Sequence, residues 1–352
     1  MKYITPIRRP AAQSLVGQVY RQIQQELGAN ADLFRLHSPV PELLAGLWSV
    51  TWETEIVGRV PWPLKQAVAA AVSQINHCPY CVEIHTALVD ARMDQSLTGF
   101  IKQGRVAEIA DPYVRAVVQW AQATRSPGSA LLLAPPFSAQ DAPEIIGIAV
   151  VNHYVNRMVE VFLPESLLPS FARRGWTRKV IWTQLGRWLA RRRDRAQKAG
   201  PSLQFLPEGA LPADMAWAAS SLTMSRAFAG WATAVNRVGA EALSPQVRTL
   251  VKEYLRTWKG EFPGSSRAWV NQAVAALPEA EHAAGKLTLL AALAPFQIDE
   301  AIIAAFRAQH GTDAHLIGAV AWASFAAAST IASWLQASSE VRVSATFHQE
   351  KV

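Results

Sequence analysis

Residues 64–89, LKQAVAAAVSQINHCPYCVEIHTALV, carry the strongest structural signal of the chain. The first half has small apolar side chains at helical spacing. The second half opens at Pro79, and proline is well tolerated in the first turn of a helix. The stretch therefore predicts two consecutive helices, with Cys78 at the N-terminus of the second one.

The same helical spacing continues outward from this stretch in both directions. Apolar residues recur three and four positions apart in ten further segments, at 16–27, 41–57, 113–123, 142–162, 215–237, 245–258, 266–276, 284–293, 299–308 and 314–335. Only Val341–Phe347 near the C-terminus alternates like a strand. The sequence therefore predicts an all-α fold.

The chain also contains a diverged internal repeat. Three segments of the first half recur in the second half: 45–48 at 229–231, 60–72 at 243–255, and 142–163 at 312–335. A Pro/Gly break, KAGP at 198–201, lies between the two halves. We expect a first repeat at 1–170, a connector helix and linker at 171–212, and a second repeat at 213–340.

The basic character of the chain comes from one segment. The 352 residues carry a net charge of +7, whereas residues 173–198 alone carry +9, so the rest of the chain is slightly acidic. The apolar residues of this segment fall at helical spacing, which predicts an amphipathic connector helix with an arginine face. A solvated connector is the favoured interpretation, and contact with a polyanion or a membrane surface is the alternative.

One stretch, residues 316–335, is long and uncharged enough to cross a membrane. Its repeat counterpart at 142–163 carries several polar and charged side chains, so we expect a bundle helix and not a span. The N-terminal residues show no apolar core of a signal peptide after their basic residues. The predicted location is the cytoplasm.

The chemically distinctive residues of the chain are Cys78, Cys81 and His85. On a helix the two cysteines share a face and the histidine follows one turn later. The helix dipole favours a thiolate at the N-terminal position of Cys78. Two thiols at this spacing can close a disulfide, and an imidazole can take up a thiol proton. This pattern indicates a redox-active dithiol.

Three other interpretations of the cluster stay open. A structural zinc site requires four ligands, and no second CxxC motif supplies the missing ones. Covalent haem attachment requires a histidine directly after the second cysteine, but here it comes four residues later. The third interpretation is a pair of buried cysteines beside a hydrogen-bonded histidine with no chemical role. The sequence predicts neither a metal nor a cofactor.

Residues 64–89 resemble the signature helix pair of the AhpD-like (carboxymuconolactone decarboxylase) superfamily, in its CPYC box and the His-Thr-Ala run that follows. The helix at 146–163, with an Asn-Arg pair, resembles the closing helix of the peroxidase-related members, and residues 37–48 resemble their N-terminal region. The resemblance is clear over about 15–165 and weaker over 215–335. It implies two tandem AhpD-like helical bundle repeats.

The resemblance implies roles for individual residues. Cys81 matches the cysteine that attacks a hydroperoxide, Cys78 the resolving cysteine, and His85 the histidine of the proton relay. The family's relay glutamate falls at Gln66, which cannot accept a proton. Glu83, Glu53 and Glu55 are carboxylates close in sequence, and the sequence assigns the relay role to none of them. Members that decarboxylate carboxymuconolactone lack the cysteine pair, so this activity is not favoured.

Two residues of the closing helix, His153 and Arg157, lie one turn apart on one face. They are candidates to line a pocket over the cysteines, and an interhelix hydrogen bond or ion pair is the equally weighted alternative.

The second repeat has lost the chemical groups of the first. Aligning Pro63 with Pro245 places Gly260, Pro263, Arg267 and Arg248 at the positions of Cys78, Cys81, His85 and Gln66. We expect the second repeat to serve as a pseudo-subunit that supplies packing surface. A homo-oligomer, either a dimer or a trimer, is also expected.

Two functions follow as hypotheses. The first is an alkylhydroperoxidase-like enzyme that uses a hydroperoxide and a thiol or lipoyl-type reductant. The second is a non-enzymatic redox sensor or binding scaffold, in which Cys78 and Cys81 form a disulfide switch. The intact cysteines and His85 favour the enzyme, whereas Gln66 favours the switch.

Overall fold

The structure is a computed structural model that describes residues 1–8, 10–91, 95–166 and 197–349, together with Ile181, Gln184, Gly186 and Trp188. Side chains are described up to residue 336, Gln95 excepted. The described part of the chain consists of helices and turns without a β-strand, so the predicted all-α fold is confirmed. The basic segment 173–198 lies almost wholly outside the described residues.

The first half contains nine α-helices within the described ranges: α1 (Leu15–Leu27), α2 (Asp32–Arg35), α3 (Pro41–Thr51), α4 (Trp62–Ile75), α5 (Pro79–Asp90), α6 (Gln95–Gln103), α7 (Pro112–Ala123), α8 (Ala130–Leu133) and α9 (Ala142–Phe162). Helix α3 runs directly into a π-helix at Trp52–Ile56. A 3₁₀ turn at Val106–Glu108 precedes α7.

The second half, from residue 197, contains six more: α10 (Leu222–Ala242), α11 (Pro245–Thr257), α12 (Ala268–Val274), α13 (His282–Leu293), α14 (Glu300–Arg307) and α15 (Asp313–Gln349). Four 3₁₀ turns connect them, at Leu203–Phe205, Ala213–Ala218, Glu279–Glu281 and Pro295–Gln297.

Helix α4 is the central element of the first half. Its small side chains from Ala67 to Val72 have no exposed surface, and α5, α7 and α9 all pack against it. The chain then reverses at His77, whose φ of 55° is unusual for a residue with a side chain. The turn sets α5 against α4 and places the cysteines at their junction.

The two halves pack on each other through corresponding helices. Helix α3 pairs with α10, and α9 pairs with α15. The first contact is close, because a Cβ atom at Gly46 would lie 2.7 Å from the Trp231 side chain. One hydrophobic core extends through both halves. This pairing supports the predicted tandem repeats, whose boundaries stay a prediction.

Two details of the sequence prediction are wrong. The segment Val341–Phe347 lies in helix α15 because the preceding helix continues through it. The helix predicted at 215–237 begins only at Leu222, where the Ser221 side chain caps it by accepting a hydrogen bond from the Met224 amide. The residues before it form the 3₁₀ turn at 213–218.

By length and composition, Asp313–Gln336 could cross a membrane, but 78% of its most apolar window is buried inside the protein. A core helix of a soluble protein shows the same combination.

Candidate active site

The two cysteine sulfur atoms form the centre of the candidate site. Cys78 is the N-cap of α5 and Cys81 lies in the first turn, which places their Sγ atoms 2.7 Å apart. Both side chains are buried and both are free thiols. Because a disulfide bond is about 2.05 Å long, a small movement would join the sulfurs.

The two thiols are not equivalent. The Cys78 thiol donates a hydrogen bond to the Cys81 sulfur. Burial raises the pKa of the Cys78 thiol well above its ordinary value, and the contact with Cys81 raises it further. The predicted thiolate at Cys78 is therefore wrong, because burial and the contact with the Cys81 sulfur outweigh the backbone hydrogen bond to Cys81 that lowers the pKa. Cys78 keeps its proton and hydrogen-bonds the Cys81 sulfur.

His85 lies one turn after Cys81 and is buried. Its Nδ1 atom lies 2.8 Å from the Gln66 Oε1 atom. Burial lowers the pKa of His85 to about 4, although the neighbouring Asn152 side chain opposes this shift. The ring is therefore neutral at pH 7 and has one nitrogen with which to accept a proton.

Gln66 occupies the position facing His85 on α4. Its side chain is 1% exposed, so the amide is held in place against the imidazole ring. An amide can orient the ring but cannot take its proton.

Glu83, one of the three carboxylates close in sequence, accepts a hydrogen bond of 2.7 Å from the Ser166 hydroxyl. Its carboxylate therefore faces the segment after α9.

His153 is fully buried between three helices. Its Nδ1 atom accepts a hydrogen bond of 3.0 Å from the Asn76 amide, and its Nε2 atom lies 2.9 Å from the Thr124 hydroxyl. Burial, together with the positive charges of Arg157 and Arg125, lowers the pKa of His153 well below its ordinary value. These contacts match the interhelix hydrogen bond, one of the two interpretations offered for this residue.

Arg157 reaches the second half of the chain. It is 4% exposed, and its Nε atom donates to the Ala292 carbonyl at 2.7 Å. Burial lowers the pKa of Arg157 to about 9. With Asn76, Asn156 and Phe262, its side chain lines a small cavity beside the turn that carries the cysteines.

Sequence reasoning missed Arg125, which anchors the cysteine turn to the second half. Its guanidinium donates to the Ile75 carbonyl at 3.0 Å and to the Gly260 carbonyl, and it stacks on Phe262 with 3.8 Å to the ring centroid. The Phe262 ring in turn packs on His77, 5.2 Å away. No motif marks Arg125, because the contact joins segments more than a hundred residues apart.

Asn152 was visible only as one polar residue in the apolar helix α9. In the structure, its side-chain amide donates a hydrogen bond to the Glu55 carboxylate at 3.3 Å.

Among the described residues, no group of three or more His, Cys, Asp or Glu side chains is arranged to hold a metal ion.

Together, these contacts place a buried dithiol, a neutral imidazole and two amides at the junction of α4, α5 and α9. One sulfur accepts a hydrogen bond while the other is held protonated beside it. This arrangement suits nucleophilic attack by the Cys81 sulfur followed by closure of a disulfide.

The chain is similar to known proteins. Residues 41–95, which contain the cysteine turn, match the carboxymuconolactone decarboxylase family. A Mycobacterium tuberculosis H37Rv protein named alkyl hydroperoxide reductase Rv2159c is 35% identical over 346 residues, covering 98% of this chain and 97% of that protein. The match therefore includes both halves of the chain.

A solved structure is also similar. It is described as the alkylhydroperoxidase AhpD core of an uncharacterized peroxidase-related protein from Ralstonia eutropha JMP134. The sequences are 18% identical, the match covers 52% of this chain and 98% of that one, and the TM-score is 0.39. From the match that spans both halves, we conclude that this chain belongs to the AhpD-like carboxymuconolactone decarboxylase family.

Proposed function

We propose that the protein is a thiol-dependent oxidoreductase that reduces hydroperoxides through a dithiol–disulfide cycle of Cys78 and Cys81. The observation that carries this proposal is the 2.7 Å distance between the two sulfurs at the start of α5. The name of the mycobacterial relative, alkyl hydroperoxide reductase, supports it.

In the first step the Cys81 sulfur attacks the terminal oxygen of the hydroperoxide. A sulfur–oxygen bond forms, the oxygen–oxygen bond breaks, and Cys81 becomes a sulfenic acid while the peroxide is reduced to an alcohol. The thiol proton of Cys81 passes to His85 and then to the leaving oxygen. The His85 ring is neutral at pH 7 and so has a nitrogen that can take this proton, and its low pKa makes the protonated ring a ready donor to the leaving oxygen.

In the second step the Cys78 thiol attacks the sulfenic acid, which releases water and forms the disulfide. Its raised pKa keeps Cys78 protonated, so it stays out of the first attack. An external dithiol of the lipoyl type, or two thiols, then reduces the disulfide by exchange and is itself oxidised. These three steps close the cycle.

The test is hydroperoxide consumption with dihydrolipoamide as reductant, in the wild type and two cysteine variants. We expect Cys81→Ser to lose turnover to the uncatalysed rate because serine is a far weaker nucleophile. Cys78→Ser should turn over far more slowly than wild type, because its sulfenic acid must be reduced by the external dithiol and not by a neighbouring thiol. Equal turnover in wild type and Cys81→Ser would refute the proposal.

A disulfide switch is the competing function, and Gln66 is the observation that favours it. The same assay separates the two. A switch predicts reversible disulfide formation without turnover under any thiol reductant, together with altered binding of a partner. The enzyme predicts turnover in wild type and a gain in Gln66→Glu, because a carboxylate there would stabilise the protonated His85 ring.

A further inference from the structure

The second half of the chain contains a cavity outside the cysteine site. It has a volume of about 580 Å³ and lies between α11 and α15, beside the 3₁₀ turn at Ala213–Ala218. Pockets for small molecules usually measure about 300–1,000 Å³. The described residues that line it run from Pro212 to Trp334 and include no cysteine and no histidine. The cavity is therefore suited to binding a ligand and not to thiol chemistry.

The buried part of the lining is apolar and aromatic. Trp322 and Phe325 of α15 are 2% and 5% exposed, and Leu255 of α11 is 3% exposed. Trp334 also lines the cavity, and its ring packs on the buried Trp258 with 5.3 Å between the ring centroids. These rings give an apolar ligand a surface that is formed before it binds.

Two cations stand at the exposed edge of the cavity. Lys252 and Arg256 lie one turn apart on α11, and both line the cavity with exposed side chains. Within the part of the chain that the structure describes, neither forms an ion pair. Like charges at this spacing destabilise a helix. An anion bound between the two side chains would relieve that repulsion.

The lining also includes one carboxylate among the described residues, and it does not neutralise these cations. The Oδ2 atom of Asp214 accepts a hydrogen bond from the Ser329 hydroxyl, and its Oδ1 atom is buried. The charges that the cavity presents to a ligand are therefore those of Lys252 and Arg256.

The first repeat has no such opening at the corresponding place. In the alignment of the two repeats, Lys252 takes the position of Ala70, and Arg256 takes that of Gln74. Ala70 has no exposed surface and lies on α4, which packs against α9. Because α11 and α15 correspond to α4 and α9, the second repeat has a cavity with a charged edge where the first has a packed core.

We propose that this cavity binds a small carboxylate with an apolar body, the chemical class of a fatty acid. The apolar body lies against Trp322, Phe325 and Leu255, and the carboxylate lies between Lys252 and Arg256. A guanidinium group can hold a carboxylate through two hydrogen bonds, and the ammonium group adds a second positive charge. The inference is independent of the proposed peroxidase function, because it uses neither cysteine.

The test is isothermal titration calorimetry of the full-length protein with decanoate below its micelle concentration. Decanol, which lacks the charge, and octanoate, which is two methylenes shorter, are the comparison ligands. The variants are Lys252→Gln, Arg256→Gln and the two combined, and Ala326→Trp, which fills the cavity from α15. Lys259→Gln is the matched control, because this exposed lysine follows α11 and is not part of the lining.

We expect one decanoate to bind per chain. Each single charge variant should weaken decanoate binding about threefold and the double variant about tenfold, with decanol binding unchanged, because an exposed ion pair contributes modestly. Octanoate should bind about tenfold more weakly than decanoate, because it buries two methylenes fewer. Ala326→Trp should abolish binding of both ten-carbon ligands, and Lys259→Gln should bind as wild type does.

The inference is overturned if wild type binds no decanoate, or if the double charge variant binds it as tightly as wild type. Unchanged binding in a folded Ala326→Trp would place the ligand elsewhere and would overturn it equally. Should Ala326→Trp not fold, the charge variants still decide, because they alter exposed side chains. Sedimentation with phosphatidylglycerol vesicles in the absence of decanoate binding would assign the cations to a membrane surface instead.

Discussion

Two aligned turns occupy the same position in the two repeats but carry different chemical groups. In the first half, residues 76–85 hold a dithiol and a buried imidazole. In the second half, residues 258–267 hold a glycine turn, and Arg267 at the position of His85 forms a surface ion pair with Asp299 at 2.8 Å. The Gly260 carbonyl accepts hydrogen bonds from Arg125, next to the cysteine turn.

The difference indicates that the two halves contribute different groups to the candidate site. The second turn contributes a backbone carbonyl and the Phe262 ring to the surroundings of the first, and it carries no thiol or imidazole of its own. The surroundings of the first turn therefore include contacts that the second half supplies. The predictions below test the packing between the two halves and the burial of the first half.

The largest effect should come from removing the second half. A chain ending near residue 205 would expose the faces of α3 and α9 that pack on α10 and α15. Burial of apolar surface is the main stabilising contribution to folding, so we expect an oligomeric or insoluble product. Sedimentation analysis would check this, and a stable, active monomer would contradict the pseudo-subunit prediction.

Acid should weaken the first half. His37, His85 and His153 are buried there. Burial lowers the pKa of His37 and of His85 to about 4, and it also lowers the pKa of His153 well below its ordinary value. Between pH 6.5 and 4 the unfolded chain binds protons that the folded chain does not. The free energy of unfolding therefore decreases as the pH is lowered. Each such histidine contributes about 1.4 kcal/mol per pH unit in this window.

The measurement is the free energy of unfolding from urea titrations between pH 7 and 4.5. His153→Gln should reduce the slope against pH by about 1.4 kcal/mol per unit. Equal slopes in wild type and His153→Gln would contradict the burial argument.

A smaller effect is expected at the contact between the two turns. Gly260 has a φ of 90°, and a Cβ atom there would lie 1.6 Å from the Arg125 carbonyl oxygen. Gly260→Ala should therefore cost about 2–4 kcal/mol, through backbone strain and a displaced Arg125. Gly264→Ala is the matched control, because its φ is 88° and its Cβ would meet nothing within 4 Å.

Gly264→Ala should cost only the strain of the left-handed conformation, about 1–2 kcal/mol. Thermal unfolding of the two variants separates the steric contribution from the conformational one. Equal losses of stability in Gly260→Ala and Gly264→Ala would show that Gly260 is not in close contact with Arg125.

The sequence predicted the helices well where the apolar spacing was long and bounded by proline, as in 64–76 and 142–162. It missed the short helices α2 and α8, whose four residues give no periodicity. It also missed the π-helix at Trp52–Ile56, because its spacing differs little from that of the helix before it.

Spacing alone predicted that Cys78 and Cys81 lie close together, and their sulfurs are 2.7 Å apart. The catalytic roles of these residues and of His85 stay a prediction. The pKa of the Cys78 thiol depends on its burial, and burial is set by tertiary packing. Asn152 and Arg125 depend on contacts between segments far apart in sequence, so no local pattern could assign them.

The central claim is that Cys81 attacks the peroxide and Cys78 closes the disulfide. Intact-mass spectrometry after one equivalent of tert-butyl hydroperoxide tests it most directly. Wild type should lose about 2 Da and both thiols, whereas Cys78→Ser should gain about 16 Da as a sulfenic acid that dimedone traps at Cys81. Unchanged masses with both cysteines still open to alkylation after unfolding, or trapping at Cys78 in Cys81→Ser but not at Cys81 in Cys78→Ser, would contradict the account.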